Sequence, residues 1–490
     1  MYLASTSLYL KSSKNGLLKI GGCLSYEIKK IKINFAVIGS GPAGQTAALQ
    51  VAKLGKSVVI IEKEIVPGGH CLNSATIPSK SLREAIIDLT NYHERSFYGS
   101  SCLREVTILD LNYRLNTVLE GERAVLLHNF KKNKISFIQG RAQFQNPNQL
   151  AILNDKGECF CEISADKILI ATGSEPRNPM DIPFDSNVIL DSTRLLTIEN
   201  IPDTMIVLGG GVVGTEYASF FALLGTKVIV LDKQDRFLDF LDEEIGAHLQ
   251  YSLKEFGLVF VPHKRPKIVE RMKNCGRVIC EDDSIYEGEV ILYALGREAN
   301  IKDLNIHLSG VQVNERGFIP TNQYFQTSIP HIYAAGDVIG FPALASTSME
   351  QGRLAGRHAY SAETPLFPKL FPLGIYTIPE ISSCGYTEEE LQKKNISYGI
   401  GRAYYYEIAR SHITGSGHIG LFKILFNRNN LDILGTHIIG RNATELIHIG
   451  QVAMSFGAKL DYFVNQVFNY PTFAEGYRIA ALNGLNKIRS

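Results

Sequence analysis

The sequence predicts an α/β protein of about three domains, two of which are related copies. Its length of 490 residues allows about three domains at roughly 150 residues each. Hydrophobic residues make up 45% and charged residues 20% of the chain, which is typical of a globular protein with large buried cores. Two stretches 170 residues apart repeat one pattern: an apolar run, a glycine turn, a helical segment and a second apolar run that ends in an acid.

The first copy begins with the apolar run 33–38. The glycines of its turn follow directly, at Gly39, Gly41 and Gly44. Apolar residues then recur at helical spacing as far as Leu54, and the β-branched run 57–61 ends at Glu62. We therefore expect a strand, a tight turn, a helix and a second strand, with the acid 23 residues after the first glycine.

The second copy keeps every one of these elements in register. The apolar run 205–208 leads into a turn with glycines at Gly209, Gly211 and Gly214. A helical pattern over 215–224 follows, and the run 227–231 ends at Asp232. A single glycine turn is weak evidence, but two turns in the same strand–helix context are far more specific.

Such a unit has the chemistry to bind a dinucleotide. The first glycine permits the tight turn, the second lets the backbone approach a pyrophosphate, and the third lets the helix pack on the strand. The helix N-terminus offers free N–H groups to the phosphates, and the acid accepts a hydrogen bond from a ribose. Two units predict two dinucleotides, which in oxidoreductases are usually a tightly held flavin and an exchangeable nicotinamide.

Charge and cysteine content exclude other classes of protein. Lys and Arg number 50 against 49 Asp and Glu, so no bulk basic field for nucleic acid or a membrane surface is expected. No apolar run approaches the roughly 18 residues of a membrane span. The 8 cysteines are scattered without metal-ligand spacing, so no metal site is predicted. Residues 1–32 are expected to be a disordered leader, with a transit peptide as the alternative.

Several further motifs occur in a fixed order along the chain. They are Gly68–Lys80 (GGHCLNSATIPSK), Ala171–Gly173 (ATG), Ala294–Arg297 (ALGR), Ala335–Val338 (AGDV) and Asn469–Glu475 (NYPTFAE). This set resembles the pyridine-nucleotide:disulfide oxidoreductases, also called flavoprotein disulfide reductases. The resemblance runs from about residue 33 to the end of the chain.

The resemblance implies an architecture. Residues 33–200 and 299–366 would form an FAD-binding domain, interrupted by a nicotinamide-binding domain at 201–298. Residues 367–490 would form a C-terminal α+β domain that makes a homodimer or a higher homo-oligomer. The partners would be small nicotinamide nucleotides, without nucleic acid or membrane, and the location would be cytoplasmic.

The residues for thiol chemistry are missing together. Disulfide reductases of this family place two cysteines next to the flavin, but here Cys71 is followed at the second position by Thr76, whose hydroxyl cannot form a disulfide. Their C-terminal His-Pro is replaced by Tyr470-Pro471, and a tyrosine is a poor base at pH 7. Both substitutions, and the stretches 374–383, 448–451 and 469–486, are similar to the transhydrogenases of this family.

The predicted activity is therefore hydride transfer between NADPH/NADP⁺ and NADH/NAD⁺ at FAD, in a ping-pong cycle without a redox-active disulfide. The alternatives are a dihydrolipoamide dehydrogenase-like enzyme or an NADH diaphorase. A flavin-binding redox sensor with decayed catalysis is a third possibility. The intact glycine turns argue against that decay.

The resemblance also assigns roles to individual residues. Lys80 would lie by the flavin N5 and pair with Glu216, although a lone helical lysine is usually a solvated charge. Tyr470 and Glu475 would lie near the flavin of the partner subunit. The remaining predicted cofactor contacts of the family motifs are Cys71, Thr76, Gly173, Gly296, Gly336 and Asp337. For Cys71 a small residue retained for packing is an equal alternative, and no redox role is assigned to it.

Asp232 makes the nucleotide preference an open question. An acid at this position favours NAD(H) and repels the 2′-phosphate of NADP(H). Lys233, Asp235 and Arg236 follow, so cationic groups are close in sequence. We therefore expect binding of both nucleotides and leave their relative preference open, with an NADH-biased enzyme as one of the alternatives.

Overall fold

The computed structural model describes residues 28–93, 97, 106–416 and 419–489. Most of the predicted leader lies outside the described residues. Its boundary at residue 32 is corrected, because the first strand begins at Lys29 and pairs there with Cys161. The alternating Lys and Ile residues of 29–33 explain the difference, since Ile31 and Ile33 pack against a buried apolar cluster.

The described chain contains both helices and strands, and two long stretches, 136–208 and 259–334, contain strands without an intervening α-helix. The helices are α1 (Pro42–Lys53), α2 (Gly69–Asn73), α3 (Thr76–Leu89), α4 (Ile108–Lys132), α5 (Val212–Leu223), α6 (Glu243–Glu255), α7 (Ala345–Ala359), α8 (Glu388–Lys393), α9 (Ala409–Ile413), α10 (Ala443–Ser455), α11 (Leu460–Asn465) and α12 (Glu475–Arg489).

The strands, in chain order, are β1 (Lys29–Ile38), β2 (Val58–Glu62), β3 (Ser136–Gln139), β4 (Arg141–Asn146), β5 (Gln149–Leu153), β6 (Cys159–Ile170), β7 (Ser174–Pro176), β8 (Ile189–Leu190), β9 (Thr204–Leu208), β10 (Lys227–Leu231), β11 (Val259–Val261), β12 (Pro266–Arg271), β13 (Gly276–Cys280), β14 (Ile285–Gly288), β15 (Val290–Tyr293), β16 (Arg297–Ala299), β17 (Ile332–Ala334), β18 (Leu373–Ile375), β19 (Ile381–Gly385), β20 (Tyr398–Tyr404), β21 (Leu421–Asn427) and β22 (Ile433–Ile439).

The chain divides into two compact units. The first comprises the residues up to Pro78 together with Leu115–Arg177 and Gly296–Phe367, and the second comprises Ser79–Arg114, Asn178–Leu295 and Pro368–Ser490. The two units are defined by their internal contacts, whereas the predicted boundaries at 200/201, 298/299 and 366/367 come from the family resemblance and remain predictions.

A parallel sheet forms the centre of the first unit. Its strands lie in the order β3-β2-β1-β6, and β17 pairs with β6 beyond them. The strand β5 pairs antiparallel with the N-terminal half of β6, residues 159–164, and β4 pairs antiparallel with β5. All five residues of β2 are buried, as expected for a parallel strand that is covered on both faces.

The second unit contains a parallel sheet of the same order. Its strands run β11-β10-β9-β15-β8, so β9 and β10 of the second copy occupy the places that β1 and β2 occupy in the first. A small antiparallel sheet, β12-β13-β14, follows β11 in the chain. The two predicted copies therefore form the same strand–helix–strand unit at the centre of a parallel sheet.

The C-terminal part of the second unit is an antiparallel sheet with helices. Its strand order is β18-β19-β22-β21-β20, and the predicted α+β class of this region is confirmed. A buried ion pair joins it to α6, because Lys423 Nζ lies 2.8 Å from Asp242 Oδ1 and both side chains are at most 1% exposed. Within the described residues, no helix combines the length and apolar character that a membrane crossing requires.

Candidate functional site

The first glycine turn leaves its helix N-terminus open. Gly39 has φ +104°, a backbone conformation that favours glycine. Gly41 is the N-cap of α1 and makes no side-chain cap hydrogen bond, so the first N–H groups of the helix are not capped by it. A Cβ at Gly44 would lie 2.1 Å from the Gly39 carbonyl oxygen, which explains why only glycine fits there.

Glu62 ends β2 beside this turn and is 6% exposed. Its Oε2 accepts hydrogen bonds from the Ser40 backbone N–H at 2.9 Å and from the Ser40 hydroxyl at 2.6 Å. Its Oε1 accepts from the Glu64 N–H at 3.1 Å. A carboxylate has about four acceptor positions, so Glu62 is held rigidly and retains the capacity to accept from a ribose hydroxyl.

Other predicted contacts of the first unit lie around the same turn. A Cβ on Gly39 would meet the Ala171 carbonyl oxygen at 2.3 Å, which places the segment 171–173 directly beside it. A Cβ on Gly336 would lie 3.3 Å from that of Ala43 in the first turn of α1. The structure thus brings Gly173, Gly336 and the first glycine turn together.

Asp337 belongs to a polar chain in the same unit. The Ser174 hydroxyl donates to Asp337 Oδ2 at 2.8 Å, and Arg297 donates to the Ser174 hydroxyl at 2.8 Å and to its carbonyl at 2.7 Å. Gly296 immediately precedes this arginine, and its carbonyl accepts from the Arg177 N–H. Asp337 is therefore fixed by Ser174, which directly follows the motif 171–173, and Ser174 is held in turn by Arg297.

The first turn fits the FAD that the sequence predicts. Gly41 has open space where a Cβ would stand, as close approach of a pyrophosphate requires. Among the described residues, the buried Thr172 hydroxyl has no hydrogen-bond partner, which suits a polar ligand at this place. The residues that would hold FAD are therefore Gly39, Gly41, Gly44, Glu62, Gly173, Gly336 and Asp337.

Cys71 and Thr76 lie on the segment that follows this turn. Cys71 is half-buried in α2, and Thr76 is the first residue of α3. Burial lowers the pKa of the neighbouring His70, with Arg297 and Lys63 lowering it further, so its imidazole is neutral at pH 7.

The second glycine turn has the same construction. Gly209 has φ +107°, and Gly211 is the N-cap of α5 without a side-chain cap. Asp232 is 9% exposed and accepts from the Gly210 N–H and, at 2.8 Å, from the Gln234 N–H. A Cβ on Gly214 would lie 1.9 Å from the Gly209 carbonyl oxygen. This turn has what a second dinucleotide requires.

Lys80 and Glu216 form the predicted ion pair. Lys80 extends from α3 and Glu216 from α5, and the Nζ–Oε2 distance is 2.7 Å. Their side chains are 25% and 5% exposed. The second carboxylate oxygen of Glu216 accepts from the Tyr376 backbone N–H at 2.9 Å, and Lys80 Nζ lies 4.9 Å from the centre of the Tyr376 ring.

The segment 376–378, directly after β18, is held against α5 at two places. Besides the bond from Tyr376, the Ile378 N–H donates to the Ser219 hydroxyl at 3.2 Å. Glu216 and Ser219 are three residues apart, so both lie on one face of the helix. Burial raises the pKa of the Tyr376 hydroxyl, which therefore stays protonated at neutral pH.

Among the described residues, Tyr470 and Glu475 are not bonded to the Lys80–Glu216 pair. The Tyr470 side chain is 73% exposed, and Glu475 begins α12. No hydrogen bond or ion pair within the described part of the chain joins either residue to Lys80 or Glu216. Their proposed place near a partner subunit's flavin remains a prediction.

Sequence reasoning missed the residues that fix the site from a distance in the chain. Ser40, Ser174 and Tyr376 contribute a hydroxyl or a backbone N–H rather than a charge, so nothing in their spacing distinguishes them. The one available signal is position: Ser40 lies within the first glycine turn, Ser174 follows the motif 171–173, and Tyr376 lies within 374–383.

Two protein-family models match this chain. The model described as pyridine nucleotide-disulphide oxidoreductase matches residues 33–352, and the dimerisation domain of the same family matches residues 371–481. The chain belongs to this family. The predicted class, an α/β oxidoreductase with FAD and nicotinamide nucleotides, is confirmed.

Curated relatives within the family are similar over nearly their whole length. A soluble pyridine nucleotide transhydrogenase from Mycobacterium tuberculosis is 43% identical over 460 residues, which cover 93% of this chain and 98% of the relative. A protein of the same name from Colwellia psychrerythraea is 38% identical over 466 residues, 94% of this chain and 99% of the relative. The predicted resemblance to transhydrogenases is confirmed.

Solved structures show the same fold. LpdA from Mycobacterium tuberculosis matches with a TM-score of 0.85 at 25% identity, covering 92% of this chain and 99% of that one. The HOCl-induced flavoprotein disulfide reductase RclA from Escherichia coli matches with a TM-score of 0.82 at 25% identity, again over 92% and 99% of the two chains.

Proposed function

We propose that the protein catalyses hydride exchange between NADH/NAD⁺ and NADPH/NADP⁺, as the name of its curated relatives describes. The observation that carries the proposal is the Lys80–Glu216 ion pair at 2.7 Å in a chain that has threonine at position 76, where a disulfide reductase has its second cysteine. The chain thus keeps the charge pair that the family resemblance assigns to the flavin, whereas it lacks the second cysteine of the thiol pair.

FAD, when bound, supplies the group that accepts a hydride from one nicotinamide and returns it to another. The residues of the chain position the nucleotides and stabilise the charge that develops during the transfer. The second glycine turn would hold each nicotinamide nucleotide in succession, so that the first product leaves before the second substrate binds. This alternation is the structural basis of a ping-pong cycle.

Lys80 provides the charge that the reaction needs. Reduction adds negative charge, and a fixed ammonium group stabilises that charge without reorganising. Both carboxylate oxygens of Glu216 are occupied, one by Lys80 and the other by the Tyr376 N–H. Glu216 therefore stays in one orientation and holds the lysine side chain in place.

The proposal includes the assembly and the location of the enzyme. The matched dimerisation domain supports a homodimer or a higher homo-oligomer, in which Tyr470 and Glu475 would serve the partner subunit's flavin. A cytoplasmic location is part of the proposal, and the nucleotide substrates of the reaction are compatible with it.

The test is a steady-state assay of thio-NAD⁺ reduction by NADPH and by NADH, with the purified holoenzyme. We expect reduction by both donors, with parallel double-reciprocal lines, and no reduction of lipoamide. Protein that lacks FAD, or that reduces lipoamide but not thio-NAD⁺, would contradict the proposal. Reduction of artificial dyes alone would indicate the diaphorase alternative.

A further inference from the structure

A short loop, residues 262–265, borders the acid of the second glycine turn. It follows β11, which pairs in parallel with β10, so both strands end on the same edge of the sheet with Leu231 opposite Val261. The Lys264 N–H donates to the Asp232 carbonyl at 2.8 Å. The loop therefore lies directly beside the position where the ribose of a dinucleotide is expected.

In NAD(H) the ribose 2′-hydroxyl donates a hydrogen bond to an acid such as Asp232. In NADP(H) a 2′-phosphate stands in place of that hydroxyl. Accommodating this phosphate requires a cation near the acid. Arg236 is the obvious candidate by sequence, but its Nη2 donates to the carbonyls of Asp239 and Leu241, each at 3.1 Å. This arginine stabilises the loop that follows β10 and is not directed to a ligand.

Lys264 is engaged in a similar way. Its ammonium group binds Asp282 and donates to the Ser284 hydroxyl at 3.0 Å, on the hairpin that joins β13 and β14. Its side chain is 17% exposed. Lys264 therefore fixes the loop to the small antiparallel sheet.

His263 differs from both. It projects from a left-handed backbone position with φ +58°, and its Nε2 lies 3.1 Å from Asp235 Oδ1, three residues after Asp232. The two side chains are 71% and 84% exposed, so a ligand can reach this pair and water screens it. Exposed Lys233 and Arg265 add positive charge to the same two loops.

We propose that His263 binds the 2′-phosphate of NADP(H), and that Asp235 competes with the phosphate for the same side chain. The inference rests on the proposed function, because it assigns a residue to one of the two nucleotides. The phosphate replaces a weak, solvent-screened partner with a doubly charged one. NADP(H) affinity is thereby set by the balance between His263 and Asp235, while NAD(H) uses Asp232 alone.

Binding of 2′,5′-ADP and of 5′-AMP to the holoprotein, measured by calorimetry, tests this assignment without turnover. His263→Asn is the informative variant, because asparagine tolerates the left-handed backbone and removes the imidazole. We expect about tenfold weaker binding of 2′,5′-ADP, the loss of roughly one charge-assisted hydrogen bond, and unchanged binding of 5′-AMP.

Asp235→Asn gives the opposite sign. Removing the competitor should tighten 2′,5′-ADP binding several-fold and lower the KM for NADPH without changing that for NADH. Lys267→Ala is the matched control, since Lys267 is an exposed cation on β12, paired at 3.7 Å with Asp283, and should change neither affinity.

Equal effects of His263→Asn on both ligands, or no effect on 2′,5′-ADP, would overturn the assignment. Failure of the proposed function gives a different result: no reduction of thio-NAD⁺ by the wild-type protein, whatever the affinity for 2′,5′-ADP. Arg236→Ala should weaken both nucleotides alike, because it loosens the loop rather than removing a phosphate ligand.

Discussion

The two glycine turns use one backbone construction for two tasks. Their first glycines have φ values of +104° and +107°, and each acid accepts from the N–H after the first glycine and from the N–H two residues beyond itself. Even a minor contact recurs, since Gln45 and Thr215 each donate a side-chain hydrogen bond to the carbonyl after the first glycine.

The copies differ at the second residue after the third glycine. Thr46 stands there in the first copy, and its hydroxyl donates at 2.7 Å to the Met349 carbonyl of α7. Glu216 stands there in the second copy and binds Lys80. The same helix position thus serves helix packing in one unit and charge placement in the other, which shows that a repeat conserves backbone geometry more strictly than side-chain role.

The largest expected effect comes from the position that the copies share most closely. In Gly214→Ala the new methyl group would stand 1.9 Å from the Gly209 carbonyl oxygen, so we expect a loss of about 3 kcal/mol in unfolding free energy. Gly211→Ala is the control, because open space surrounds that position and stability should not change. Urea denaturation of both variants measures the difference, and equal stabilities would refute the steric account.

The next effect concerns the residue that differs. Glu216→Gln keeps the shape and the hydrogen bond from Tyr376 but removes the charge that holds Lys80. We expect hydride transfer to slow about a hundredfold and the visible spectrum of bound FAD to shift. Stopped-flow reduction by NADH measures the rate, with Lys80→Met as the companion variant. An unchanged spectrum in both would count against a charge beside the flavin.

Ser40 tests a difference one residue after the first glycine, where the second copy has Gly210. The Ser40 hydroxyl donates to Glu62 and accepts from the Gly68 N–H at 2.8 Å in a fully buried position. Ser40→Ala leaves that buried N–H unpaired, at a cost of about 2 kcal/mol, and FAD affinity should fall with it. Urea denaturation measures the free energy of unfolding, and a flavin fluorescence titration measures the FAD affinity. Wild-type stability of the variant would show that the hydrogen bond from Gly68 to Ser40 is dispensable.

The smallest effect is expected at Thr46. Thr46→Val removes the hydrogen bond to α7 while keeping the size of the side chain, which should cost about 1 kcal/mol. The rate of flavin reduction should be unchanged, in contrast to Glu216→Gln. A catalytic defect in this variant would erase the functional distinction between the two copies.

The elements of the fold could be predicted because the glycines and acids are local signals. Strand 227–231 has the predicted bounds, and the predicted apolar run 205–208 lies within β9. The start of β1 was missed because Lys29, Lys30 and Lys32 interrupt its apolar pattern. Their side chains alternate with inward isoleucines, which a search for an unbroken apolar run does not detect.

The candidate site was predicted where a motif carried the charge, as for Lys80 and Glu216. The parts of the site that a main-chain group or a loop distant in sequence completes could not be predicted. The Tyr376 N–H is 160 residues from Glu216, and the His263–Asp235 contact depends on the register of two parallel strands. Arg236 shows the reverse case, since a cation adjacent in sequence is used by its own loop.

The segment 376–378 supplies its two hydrogen bonds from the main chain, so its contribution is insensitive to most substitutions. Sequence drift can replace Tyr376 or Ile378 by almost any residue and still present N–H donors to Glu216 and Ser219. Proline is the exception, because it has no N–H to donate. A one-residue insertion between β18 and this segment would also separate donor from acceptor. Exchange of C-terminal domains between relatives should therefore succeed only where the spacing after β18 is preserved.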